Sequence, residues 1–126
     1  MKIMLLDDEE PLLKSLSRMI TLLGHEVQCF QSPSAAAEAI EEEEYDFAFV
    51  DYLMPERDGI WFMSNARIPR KTKVMLMTAF VSRSVISRMF ELGVCGYMIK
   101  PFDEDELRRH IEFHSSQSEP SAPPGV

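Results

Sequence analysis

Two hydrophobic patterns alternate along the chain. Residues 3–6 (Ile-Met-Leu-Leu), 47–50 (Phe-Ala-Phe-Val) and 74–77 (Val-Met-Leu-Met) are continuous apolar runs. Such runs are too short for ordinary helices and read as strands buried on both faces. Residues 26–30 and 96–99 read as two more strands. Between the first two strands, Leu12, Leu13, Leu16, Met19, Ile20 and Leu23 recur three and four apart, the one-sided stripe of an amphipathic helix. Pro11 suits its first turn and Gly24 its C-terminal cap. Ser32 is placed to cap a second helix that runs to Ile40. A short third helix follows Gly59. A fourth spans 83–92 and is closed by Gly93. Asp103, with Glu106 three residues on, has capping-box spacing for a fifth over 103–114.

This fivefold alternation of strand and helix predicts an α/β fold, with a parallel sheet covered on both faces. The 126 residues fit one domain. We assign it to residues 1–114. Residues 115–126, rich in Ser and Pro, read as a disordered tail or linker.

The polar residues gain meaning from where the strands end. Asp7 and Asp8 follow the first strand, Asp51 the third, Thr78 the fourth and Lys100 the fifth. Parallel strands end on one side, and ligands of open α/β sheets bind at those carboxyl ends. Residues scattered over most of the chain therefore converge. Singly, each has a plainer explanation: acids favour a helix N-terminus, Thr can cap a helix, and Lys can sit solvated at a strand end. Together they suit phosphoryl transfer. Clustered carboxylates repel one another, and a hard cation such as Mg²⁺ relieves that repulsion. An ionised Asp can attack phosphorus, while Lys and Thr meet the phosphoryl oxygens.

The segments Leu5-Leu6-Asp7-Asp8-Glu9, Val50-Asp51-Tyr52-Leu53-Met54-Pro55 with Asp58-Gly59, Met77-Thr78-Ala79, and Gly96-Tyr97 with Lys100-Pro101-Phe102 occur in that order. In this the chain resembles the receiver domains of two-component response regulators, from residue 1 to about residue 114. The resemblance implies a doubly wound, five-stranded parallel sheet of order 2-1-3-4-5 with five helices, flavodoxin-like and CheY-like. It implies that Asp51 accepts a phosphoryl group from a phosphohistidine on a sensor histidine kinase or phosphotransfer protein. Asp8, Asp51 and the backbone carbonyl of Leu53 are expected to hold Mg²⁺, with Asp7 acting through water. Lys100 is expected to pair with the phosphoryl oxygens, and Lys100-Pro101 to be cis. Thr78 and Tyr97 are the expected switch, remodelling the surface of the fourth helix, fifth strand and fifth helix for a downstream effector or a second copy. Such a protein is a switch rather than an enzyme, catalysing only its own phosphorylation and dephosphorylation.

Charge narrows the partners. The net charge of −8 argues against direct nucleic-acid binding. No apolar run reaches membrane-spanning length, and an acid at Asp7 interrupts any signal-like start, so a cytoplasmic location is expected. Cys29 and Cys95 read as buried thiols, and His25, His110 and His114 as solvated side chains that form no ligand set. An Asp-nucleophile phosphatase is disfavoured, because Leu53 stands where its second Asp is needed. A pseudo-receiver that is never phosphorylated remains an alternative.

Some positions depart from the family pattern. Trp61 either folds onto the core or meets a partner. Ile86 and Phe90, four apart, extend the apolar stripe of the fourth helix outward and with Tyr97 predict a docking or dimerisation patch. Leu53 and Phe80, each two residues beyond a site residue, are bulky and apolar where polar residues are common. They predict slow loss of the phosphoryl group through exclusion of water.

Overall fold

A computed structural model describes residues 1–80 and 82–117. Its elements follow in the order β1 (Lys2–Leu6), α1 (Glu10–Leu22), β2 (Glu26–Phe30), α2 (Pro33–Glu42), β3 (Phe47–Asp51), α3 (Gly59–Asn65), β4 (Lys73–Thr78), α4 (Arg83–Glu91), β5 (Gly96–Ile99) and α5 (Glu104–Gln117). The strands form one sheet of order β2-β1-β3-β4-β5, every pair parallel. The doubly wound fold expected from the sequence is therefore the observed one. Most of the proposed tail, residues 118–126, lies outside the described residues.

Strand alternation splits the core into two layers. Ile3, Leu5, Phe47, Phe49, Met75, Met77 and Met98 face α1 and α5, where they meet Leu13, Leu16, Ile20, Leu107 and Ile111. Met4, Leu6, Ala48, Val50, Val74 and Leu76 face the other way, onto Ala36, Ile40, Phe62 and Met89 of α2, α3 and α4. Both faces are covered, so past Lys2 and Lys73, which open β1 and β4, the strands β1, β3 and β4 carry no polar position until they end. Full burial of one such Leu or Ile side chain stabilises the fold by about 1.5–3 kcal/mol.

The helix starts follow the expected chemistry. The Ser32 hydroxyl accepts from the Ala35 amide at 3.3 Å, and the Asp103 carboxylate accepts from the Glu106 amide at 2.8 Å. Gly24 and Gly93 close α1 and α4 with φ of 92° and 115°, a left-handed conformation that a side chain would strain.

Three expectations about burial need correction. Cys29 and Cys95 are both exposed. Each belongs to a sheet edge, Cys29 in β2 and Cys95 just before β5, where no neighbouring strand covers it. His114 is buried rather than solvated, with its ring in edge contact with Phe47 at 5.4 Å. Trp61 is half-buried against the α2–α4 layer, and the Arg57 guanidinium sits 4.9 Å from its ring centre. Its packing thus follows the first of its two readings.

Candidate functional site

The carboxyl ends of β1, β3 and β5 meet above the α1–α5 layer. Asp7 continues the parity of Ile3 and Leu5, Asp51 that of Phe47 and Phe49, and Lys100 that of Met98. The same period-two rule that buries the core residues aims these three side chains into one space. Asp7 and Asp51 are buried, 0% and 4% exposed. The Lys100 ammonium donates to Asp7 Oδ2 at 2.6 Å, Asp51 Oδ2 at 3.1 Å and Glu9 Oε2 at 3.3 Å. The second Asp7 oxygen accepts from the Glu9 amide at 2.8 Å. Lys100-Pro101 is cis, as expected.

This crowding of charge shifts proton affinities. Burial pushes the Asp51 carboxyl up to about 6 from 3.8; the Lys100 ammonium opposes that rise and the Asp7 charge adds to it. Burial also raises Asp7, against its bonds to Lys100 and the Glu9 amide. For Lys100 burial works against the charged form, but the Asp7 bond and the Asp51 and Asp7 charges outweigh it and raise its pKa. The ammonium is held firmly between the two carboxylates.

Asp7, Asp8 and Asp51 each offer one carboxylate oxygen within 4.8 Å of the others. Three hard oxygens at that spacing fit a hard cation such as Mg²⁺. A cavity of about 630 Å³ opens beside them, floored by Leu12, Leu16 and Phe102 and rimmed by Asp8, Glu9 and Leu53. Leu53 is 51% exposed at this mouth, and Phe80 stacks on Tyr52 with ring centres 5.6 Å apart.

Thr78 has the opposite parity. Its hydroxyl is buried and accepts from the Phe80 amide at 2.9 Å. Leu76 is paired with Tyr97 across β4 and β5, which puts Thr78 and Tyr97 on the same side of the sheet. Tyr97 is 41% exposed and meets Phe90 of α4 edge-on at 6.2 Å. Ile86 is half-buried and packs onto the α2–α4 core layer, so Phe90 and Tyr97 make up the exposed part of the predicted patch.

Two contributors stand in the motifs quoted from the sequence but were given no role in the site there. Glu9 is a third carboxylate for Lys100, and its position among the acids after β1 was the available signal. Gly59 begins α3 with its amide donating to the Tyr52 carbonyl at 2.8 Å. A Cβ there would stand 3.0 Å from the Asp51 backbone oxygen and 3.1 Å from Tyr52 Cα. A side chain here would push the start of α3 away from Asp51 by a few tenths of an ångström.

The family model of the response regulator receiver domain matches residues 3–112. The chain belongs to this family. Among relatives of the receiver domain, the regulatory protein AtoC of Escherichia coli is 32% identical over 123 residues, covering 94% of this chain and 27% of its own length. The chain spans 27% to 53% of the length of curated relatives that it matches. A CheY-like receiver domain protein from Methanospirillum hungatei has the same fold, with a TM-score of 0.88 at 22% identity over 93% of this chain and 94% of that one. So does the response regulator TrrA from Thermotoga maritima, solved in complex with Mg²⁺–BeF, with a TM-score of 0.77 at 24% identity over 90% and 97% of the two chains. The receiver domain is thus a two-component signalling module. Among the described residues no helix is long and apolar enough to cross a membrane.

Proposed function

We propose that this receiver domain is a phosphorylation switch in which Asp51 takes a phosphoryl group from a phosphohistidine of a sensor kinase or phosphotransfer protein. The observation that carries this reading is a buried Asp51 carboxylate 3.1 Å from the Lys100 ammonium, with the Asp7 and Asp8 oxygens gathered beside it. Asp7, Asp8, Asp51 and the Leu53 carbonyl would hold Mg²⁺, which when bound neutralises charge on the phosphoryl oxygens. Asp51 attacks phosphorus as the bond to the donor imidazole breaks. Lys100, already aimed at the Asp51 oxygen, pairs with the incoming charge and orients it.

The product carries more negative charge and strong acceptor oxygens at the end of β3. Thr78 exchanges its bond with the Phe80 amide for one to a phosphoryl oxygen. That vacates space on the face it shares with Tyr97, which turns inward, and the surface of Phe90 and Tyr97 changes shape. This surface then engages a downstream effector or a second copy. TrrA, solved with Mg²⁺–BeF, supports the reading by fold alone.

The test is intact mass after incubation with Mg²⁺ and acetyl phosphate, beside Asp51→Asn. Gain of one phosphoryl group in the parent and none in the variant is expected. Absence of any gain, with a phosphorylated histidine donor also ineffective, would make the domain a pseudo-receiver.

A further inference from the structure

Glu9 stands where a helix cap belongs, yet its side chain does not cap. It is the N-cap of α1, with an extended backbone, and its carbonyl accepts the first helical bond from the Leu13 amide at 3.1 Å. Short side chains such as Ser, Thr, Asp and Asn suit that position, because their oxygens turn back onto the first free amides. The Glu9 carboxylate makes no such bond. It crosses instead to Lys100, 91 residues away, with Oε2 3.3 Å from Nζ. A negative charge at a helix start is favourable in itself, but that benefit does not require a bond to Lys100.

The bond to Lys100 closes a circuit. Asp7 Oδ1 accepts from the Glu9 amide at 2.8 Å, Asp7 Oδ2 accepts from the Lys100 ammonium at 2.6 Å, and Glu9 Oε2 accepts from the same ammonium. Each member therefore fixes the other two. A lysine ammonium has three N–H donors. Two are committed to this circuit, and the third meets Asp51 Oδ2 at 3.1 Å. The two circuit acceptors lie at different depths. The Asp7 side chain is wholly buried, whereas that of Glu9 is 60% exposed at the cavity rim. Asp7 draws the ammonium toward the sheet and Glu9 draws it toward the mouth. Among the described residues, the set of carboxylates gathered for a cation is Asp7, Asp8 and Asp51, which leaves the Glu9 carboxylate to Lys100.

We propose that Glu9 is a positioning residue for phosphoryl transfer, the outer anchor of a tripod that keeps the Lys100 ammonium aimed at the reacting oxygen. The inference rests on Asp51 being the phosphoryl acceptor. As Asp51 bonds to phosphorus its carboxylate gives up charge and becomes a poorer acceptor, so the third N–H of Lys100 passes to a phosphoryl oxygen. Asp7 and Glu9 hold the other two meanwhile, and the ammonium needs no rearrangement at the moment of transfer. Without Glu9 the ammonium keeps one charged anchor through that step, the buried one, and is drawn inward, away from the incoming group. The Glu9 charge also repels an anionic donor. Its acceptor oxygen and its charge thus act in opposite directions, and two variants separate them. Glu9→Gln and Glu9→Ala both lose the charge, but only Gln keeps an acceptor oxygen.

The test compares the two variants in two ways. One is the rate of phosphorylation by acetyl phosphate with Mg²⁺, followed by intact mass. The other is heteronuclear NMR of the lysine ammonium groups in the Mg²⁺-free protein, with the Lys100 signal assigned by its absence in Lys100→Arg. Glu9→Gln should be phosphorylated at least as fast as the parent. Glu9→Ala should be roughly three- to fivefold slower than Glu9→Gln, the scale of a partly exposed ion pair. The Lys100 ammonium signal, protected from exchange by its three bonds, should persist in Glu9→Gln and be lost in Glu9→Ala. Equal rates in the two variants, or a Lys100 signal unchanged in Glu9→Ala, would overturn the tripod. A folded parent that takes no phosphoryl group from acetyl phosphate or from a phosphorylated histidine would instead overturn Asp51 as the acceptor, and the role of Glu9 in transfer with it. The NMR arm keeps the two failures apart, because it reads the Glu9–Lys100 contact without any phosphorylation.

Discussion

Asp51→Asn should make the protein more stable at neutral pH, although it removes the group on which the proposed activity depends. The parent carries an Asp51 carboxyl whose pKa is about 6 against an ordinary 3.8, chiefly through burial. The folded state therefore prefers the protonated form. Stability from this group is full below pH 3.8 and is lost as pH rises through about 6, because the unfolded chain ionises first. The gap between those two values corresponds to about 3 kcal/mol above pH 7. Asn resembles the neutral acid and escapes that loss. In a domain of this size about 3 kcal/mol moves the melting temperature by roughly 10 °C. Urea unfolding from pH 3.5 to 8, with EDTA to remove divalent cations, reads the effect directly. The two proteins should be nearly equal at pH 3.5 and diverge between pH 4 and 6.5, with the variant above. Added Mg²⁺ should narrow the gap by stabilising the parent alone. A variant no more stable than the parent at pH 7.5, or a gap that persists at pH 3.5, would refute the account of buried charge.

Other predictions concern the rest of the site. Lys100→Met should remove phosphorylation by acetyl phosphate and destabilise the fold by about 3 kcal/mol in urea, since two buried carboxylates lose their cation. Gly59→Ala should cost about 1–3 kcal/mol through its contact with the Asp51 backbone oxygen, and it should slow phosphorylation seen by mass. Leu53→Asn should speed hydrolysis of the aspartyl phosphate roughly tenfold, a barrier change of about 1.4 kcal/mol, followed as loss of the phosphoryl mass with time. Phe90→Asp should leave unfolding within about 0.5 kcal/mol of the parent and phosphorylation intact, while abolishing phosphorylation-dependent association in light scattering or pull-down.

The central strands could be read from the sequence because burial on both faces removes polar residues from their interiors, so a polar residue marks where β1, β3 and β4 end. That is why Asp7, Asp51 and Lys100 could be gathered into one site before any coordinates: they are the first charges after β1, near the end of β3 and after β5. Helix caps were equally local and equally legible. What escaped depended on neighbours distant in the chain. Cys29 and Cys95 sit among apolar residues in sequence, yet each belongs to an edge of the sheet and is exposed there, so apolar neighbours in the chain did not mean burial. Ile86 continues an outward stripe on α4, but it packs against the core layer shared by α2, α3 and α4. His114 looks solvated within a polar helix until Phe47 and Phe113 are seen to enclose its ring. Glu9 and the Tyr52–Phe80 stack likewise require two loops to be placed together.

The ammonium of Lys100 bonds to an aspartate 93 residues earlier and to another 49 residues earlier. Such distant closures are the slow part of folding, because the intervening chain must already be ordered. A chain emerging from synthesis has all the acidic residues of the site by the end of β3, but it lacks their cation until the fifth strand has docked. Until then the aspartates repel one another, and no group orients an incoming phosphoryl donor. In the proposed switch, competence to receive the signal would thus coincide with completion of the sheet, and unfinished or misfolded copies would be silent. In that switch, the lysine at the far edge would proofread the fold as well as meet the phosphoryl group.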